Sequence, residues 1–329
     1  MYNHDQLATL AAICDSGSFE GAATALHISS SAVSQRITAL ERASGAALLQ
    51  RTRPVLPTRN GQALLRLARQ IEVLTVDADA ELRGGSTTTN TCAPLRFSLA
   101  INADSVSTWF QPVMKAIAVD RRILLDLHIE DQDHTDALLR QGAVMAAVTT
   151  SRTAAPGCTV EPLGAMVYWP ACAPSLIRDA DVDCCDPSRL PMLRFDKKDD
   201  LQHAYLRKIK AHREPPIHYL PSNREFLTAA RLGLGWGVLP EGQIARDLAD
   251  GTLVHLDPDH NVTIPLYWQR WHLPSETLDR ITSWVRDAAH HALIETPVQP
   301  TPSRTTPSRG LAAPMAAAQS TTGAARRGS

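Results

Sequence analysis

Ser30, Ser31, Ser34, Gln35 and Arg36 stand close together near the start of the chain. Short hydroxyls, a carboxamide and a guanidinium are groups that exchange hydrogen bonds with base edges and phosphate oxygens. Arg51 and Arg53 come next, flanking Thr52 just before Pro54. A second set is acidic and hydroxylic: Asp104, Ser105, Glu130, Asp131, Asp133, Thr149, Ser222 and Glu225. Hydroxyls and amides at a helix start can hold a carboxylate, whereas side-chain carboxylates neutralise an amine or a guanidinium. Acids outnumber hydroxyls in this set, which favours a cationic ligand.

These groups need elements to position them. Phe19, Ala22, Ala23 and Leu26 repeat at helical spacing, and Val33, Ile37 and Leu40 do the same for a second helix. The stretch between them is long enough only for a tight turn, and Ser29 is a good N-cap for the second helix. That is a helix-turn-helix whose second helix offers its polar N-terminal end to a major groove. A plain helical hairpin with a solvated face has the same spacing, so the charge pattern decides. From Ser29 to Arg69 there are seven arginines against one acid, Glu41, in a chain whose formal net charge is -1. Such local basicity suits phosphate. Residues 49–61, bounded by Pro54 and Pro57, predict a short wing that carries Arg51 and Arg53 along the DNA backbone.

The run Ala32-Val33-Ser34-Gln35-Arg36-Ile37-Thr38-Ala39-Leu40-Glu41 matches the recognition-helix signature A-V-S-x-x-I-x-x-L-E. On it, residues 4–82 resemble the winged helix-turn-helix and linker helix of LysR-type transcriptional regulators. Ser34-Gln35-Arg36-Ile37 followed by Arg51-Thr52-Arg53-Pro54 is similar to the ArgP/LysG branch of that family. The resemblance implies a promoter-DNA partner, contact with RNA polymerase, a homodimer or homotetramer, and a basic amino acid as effector controlling an exporter gene. Ser29 and Ser30 depart from the residues often found in relatives, so the operator does not carry over.

The chain of 329 residues has room for two or three cored domains. It has no apolar run of membrane length and its first residues lack a charged-then-apolar signal, so a cytoplasmic protein without membrane contact is expected. Six cysteines show no C-x-x-C spacing, and the group around Asp131 to His134 has no further ligands at helical spacing. Neither a metal nor another cofactor is expected. No nucleophile sits on a sharp strand-to-helix turn, which speaks against an enzyme. Gly233-Leu234-Gly235-Trp236-Gly237 precedes a strand instead of following one, so it predicts a turn and not a dinucleotide loop.

The expected fold is α/β with an N-terminal all-α winged helix-turn-helix, a long linker helix and a two-lobed periplasmic-binding-protein-like effector domain. Its divisions are a head at 1–60, a linker helix at 61–83, a hinge at 84–94, an effector domain at 95–295 and a disordered tail at 296–329. In the linker helix Leu64, Leu67, Ala68, Ile71 and Leu74 form a stripe that a helix alone cannot bury, which predicts a dimer seam. From residue 95 strands alternate with helices in two successive units, predicting parallel sheets. Ligands of such sheets sit beyond the carboxyl ends of strands, where the acidic and hydroxyl set falls. Each acid taken singly is better explained as a helix cap or a solvated group, and the case for a ligand rests on the cluster. A LysR-type protein with another effector, and an α/β solute-binding or catalytic protein with a fused helical domain, remain as alternatives.

Overall fold

The computed structural model describes residues 2–82, 94–129, 132–179 and 186–295. Residues 84–93 of the expected hinge and the tail at 296–329 lie outside the described residues, as do Glu130 and Asp131.

The head begins with α1 (His4–Ser16), α2 (Phe19–Leu26) and α3 (Ser30–Ser44). Each starts at a polar cap: Asn3 accepts from the Asp5 amide at 2.8 Å, Ser18 from Gly21 at 3.0 Å and Ser29 from Ala32 at 3.2 Å. Leu7, Leu10, Ile13, Ala22, Ala23, Val33, Ile37 and Leu40 point into one core, as their spacing requires. The wing is β1 (Leu49–Gln50) paired antiparallel with β2 (Leu56–Pro57). Helix α4 (Arg59–Leu82) leaves it directly. Its first half closes the head core with Leu64, Leu65 and Ala68, while Val73 is fully buried in the core of the following domain.

That domain contains, in order, β3 (Leu95–Ile101), α5 (Ala103–Ser107), α6 (Gln111–Val119), β4 (Ile123–Ile129), α7 (Gln132–Gln141), β5 (Ala146–Thr149) and β6 (Cys158–Cys172). There follow α8 (Pro174–Asp179), β7 (Met192–Arg194), α9 (Leu201–Lys208), β8 (Ile217–Tyr219), α10 (Asn223–Arg231), β9 (Gly237–Pro240) and α11 (Glu241–Asp250). The last elements are β10 (Val254–His255), β11 (Val262–Trp271) and α12 (Glu276–Ala292). Strand β3 is parallel to β4 and β5, so the first predicted unit forms as expected.

The second unit differs. Its strands do not make a parallel sheet of their own: β6 and β11 are long antiparallel partners that pass through both lobes. One end of β11 pairs with β5, and the far end of β6 carries β9 and β10, so the lobes share one sheet. Among the described residues, parallel pairing there is confined to β7 with β8 and a bridge from Met192 of β7 to Trp236 just before β9. The sequence over 105–118 reads as a single helix, but the fold breaks this stretch into α5 and α6, because Trp109 and Phe110 turn inward between them and Pro112 starts a new helix.

Candidate functional site

Two surfaces gather the predicted residues. On the head, Ser30, Ser31, Ser34 and Gln35 are all exposed at the N-terminal half of α3, and Arg51 and Arg53 are exposed between the wing strands. The burial of Val33, Ile37 and Leu40 fixes this orientation, since helical spacing turns the intervening positions outward. Arg36 is placed differently from its neighbours. Its Nη2 donates to Asp5 on α1 at 3.1 Å, with a third of the side chain exposed. The guanidinium therefore ties the recognition helix to α1 before any DNA arrives.

In the effector domain, Asp104 lies in the first turn of α5, after β3, with Asn102 capping the helix by accepting from the Ser105 amide at 2.8 Å. The Tyr168 hydroxyl of β6 donates to Asp104 Oδ2 at 3.1 Å, and the Asn223 amide at the start of α10 donates to Oδ1 at 3.1 Å. One carboxylate thus joins three elements. Burial raises its pKa above the usual carboxylate range and the nearby Asp199 adds to that, while the bonds from Tyr168 and Asn223 pull it back. Tyr168 is raised as well, by burial and by the negative charge it faces. No cation pairs with Asp104 among the described residues. A shielded carboxylate held by two neutral donors is a place where an incoming ammonium or guanidinium gains most.

The other predicted residues fall around it unevenly. Ser105 is buried with its hydroxyl 3.6 Å from Met166 Sδ. Thr149 is buried at the end of β5, where its hydroxyl accepts from the Ser151 amide at 3.1 Å. Ser222 donates to Glu225 on the outside of α10, so Glu225 is an exposed helix-start acid and its pKa is lowered by that bond. Asp133 belongs to α7, and its side chain is outside the described residues together with Glu130 and Asp131. Sequence reasoning missed Tyr168 and Asn223. Asn223 adjoins the chosen Ser222 and opens a helix, a signal that could have found it; Tyr168 had none beyond lying in a strand.

The dimer stripe is divided by the fold. Leu64 and Ala68 are buried within one chain, Leu67 and Ile71 are half-buried against the same core, and Leu74 stays 40% exposed. Thiol chemistry is disfavoured at half-buried Cys14 and buried Cys172, because desolvation pushes both up to about 12. Among the described residues there is no cluster of side chains able to hold a metal ion and no helix long and apolar enough to cross a membrane.

A winged head carrying an exposed polar helix, joined through α4 to a domain with a shielded carboxylate beyond the end of its first strand, defines a DNA-binding regulator with a ligand-binding domain. Residues 4–62 match the family described as bacterial regulatory helix-turn-helix protein, lysR family, and residues 95–290 match the LysR substrate binding domain. The chain belongs to the LysR family of transcriptional regulators.

It is 43% identical over 288 residues to the HTH-type transcriptional regulator LysG of Mycobacterium tuberculosis, covering 86% of this chain and 92% of that one. It is 42% identical over 298 residues to the lysine export transcriptional regulatory protein LysG of Corynebacterium glutamicum, covering 88% and 99%. The structure of full-length LysG from Corynebacterium glutamicum with bound effector Arg matches with a TM-score of 0.70 at 42% identity, covering 89% of this chain and 99% of that one. Both relatives are transcriptional regulators, as is this chain.

Proposed function

We propose that this regulator controls an exporter gene for basic amino acids, with lysine or arginine as its effector. The observation that carries the reading is Asp104: a shielded carboxylate with a raised pKa, reached by Tyr168 and Asn223 and lacking a cationic partner among the described residues. It is supported by the similarity to a lysine export regulator and to a structure with bound arginine. In this reading the carboxylate takes the ligand's positive charge. Ser105 and Thr149 line the same strand ends, and Asp133, Glu130 and Asp131 supply further acid.

Ser30, Ser31, Ser34 and Gln35 meet base edges, Arg51 and Arg53 meet phosphates, and Leu67, Ile71 and Leu74 supply the part of the stripe left for a partner subunit. The divisions at 60, 83, 94 and 295 separate the head, the linker helix, the hinge, the effector domain and the tail. A protein that recruits RNA polymerase to a promoter works where the chromosome is, in the cytoplasm, and regulates without catalysing a reaction. Ligand closure shifts the population of head arrangements on the promoter.

Thermal shift of the purified full-length protein against the common amino acids tests the effector. A ligand at about 100 times its dissociation constant raises stability by about 2.7 kcal/mol. A response to an anionic metabolite and none to lysine or arginine overturns the assignment.

A further inference from the structure

Arg69 sits in the middle of α4 and is only 9% exposed. Its Nη1 donates to the Gly142 carbonyl at 2.7 Å and also to the Ala143 carbonyl, both just beyond the end of α7. Its Nη2 donates to Asp15 in the last turn of α1 at 2.6 Å. A helix C-terminus presents unpaired carbonyls and a partial negative charge, which a guanidinium satisfies well. One planar fork therefore joins the head, the linker helix and the effector domain. Three neighbouring features make the seat specific. Arg66, one turn earlier, donates to the Pro156 carbonyl at 3.3 Å. Gly142 has a φ of +71°, and a Cβ there would stand 2.8 Å from Arg66 Cβ and 2.9 Å from its Cα. Further along α4, Thr277 of α12 donates to Asp77 at 2.6 Å.

We propose that Arg69 is the positioning residue that couples the DNA-binding head to the effector domain within one chain. The Gly142–Ala143 segment leads into β5, which ends at Thr149 beside the proposed ligand cleft. Four residues of strand span about 13 Å. A shift of that strand or of α7 changes the carbonyls that Arg69 holds, and Asp15 passes the displacement to α1 and so to the helix-turn-helix. The link to a ligand rests on the cleft reading above; the coupling itself does not.

The test uses the full-length protein and a mixed-sequence DNA duplex at low salt, so that the head is occupied whatever the operator. Hydrogen exchange of the wild type should change at residues 142–146 when the duplex binds. Arg69→Lys keeps the charge and removes the fork; it should bind the duplex within about twofold of the wild type yet lose the distant exchange change. Gly142→Ala, which forces α4 away from the other side, should do the same. Equal transmission in Arg69→Lys, or no transmission in the wild type, overturns the proposal. A wild type that transmits the duplex signal but ignores lysine and arginine supports the coupling while counting against the effector reading.

Discussion

The head and the cleft place similar polar groups in opposite settings. On α3 the serines and Gln35 project from an exposed surface whose apolar side is fully used; Ser31 shares a hydrogen bond with the Ser29 hydroxyl at 2.9 Å, and Arg36 meets an Asp5 side chain that is 64% exposed. In the cleft Asp104 is screened by β6 and α10 and bonded from both. Water solvates the first set cheaply, so its members wait for DNA with little cost and are worth little to one another. Water reaches the second poorly, so its charge rests on the hydrogen bonds from Tyr168 and Asn223. The head is built for a large, polyanionic partner whose affinity is summed over many contacts; in the function proposed above, the effector domain concentrates its recognition in one group.

The sharpest break in this contrast comes from Asp104→Asn. Calorimetry should show lysine or arginine binding weakened by about 2 to 5 kcal/mol, with DNA binding in the absence of ligand unchanged. An unchanged binding heat would make Asp104 a helix-start acid like Glu225. Next in size is Leu74→Asp. Because Leu74 is exposed in the single chain, the substitution should leave folding intact, while losing a buried leucine at a subunit seam costs about 1.5 to 3 kcal/mol. Sedimentation that stays the same removes this helix from the seam.

On the head, Gln35→Ala should cost about 1 to 3 kcal/mol of discrimination between operator and altered bases, whereas Arg53→Ala should weaken all sequences alike and reduce the salt slope by about 1. Filter binding at several salt concentrations separates the two. The pH response comes from the raised Asp104 pKa. In the free protein the carboxyl holds its proton to a higher pH than usual, and a cationic ligand favours the ionised form, so binding should strengthen as pH rises through the free-protein value and then level off. Below it, binding should release a proton, measurable as a buffer-dependent heat. The smallest effect is Asp5→Ala. An exposed pair of this kind contributes about 0 to 1 kcal/mol, so thermal stability should barely move, and any change should appear in the DNA selectivity attributed to Arg36.

The head is legible in the sequence because its elements are local. A period of 3.6 residues names the buried positions Ala22, Ala23, Val33, Ile37 and Leu40, and the complement of that set on α3 is the exposed polar face. The wing and α4 can be read from Pro54, Pro57 and the long apolar stripe, although periodicity cannot tell that Leu64 and Ala68 are used within the chain and Leu74 is not. The signature assigns Arg36 to DNA by its position; its bond to Asp5 spans 31 residues and no local pattern announces it.

In the effector domain short apolar runs reveal β3, β4 and β5, but they mark β6 only over 167–172. Its earlier half is interrupted by Thr159, Glu161, Pro162 and Gly164, and proline and glycine read as loop until β11 pairs with it. Helix α11, with Arg246 and Asp250 among its exposed positions, escapes the sequence reading altogether.

The sequence by itself determined the family, the helices of the head and the exposed polar face of α3, because each depends on contacts between near neighbours in the chain. Only the tertiary structure decided that β6 and β11 tie both lobes into one sheet, that Asp104 of all the acids is the one shielded by Tyr168 and Asn223, and that Arg69 closes a joint between α1 and α7. The partners of Asp104 lie 64 and 119 residues away and those of Arg69 54 and 73, and desolvation, which gives each group its energy, exists only once those distant segments have packed around it.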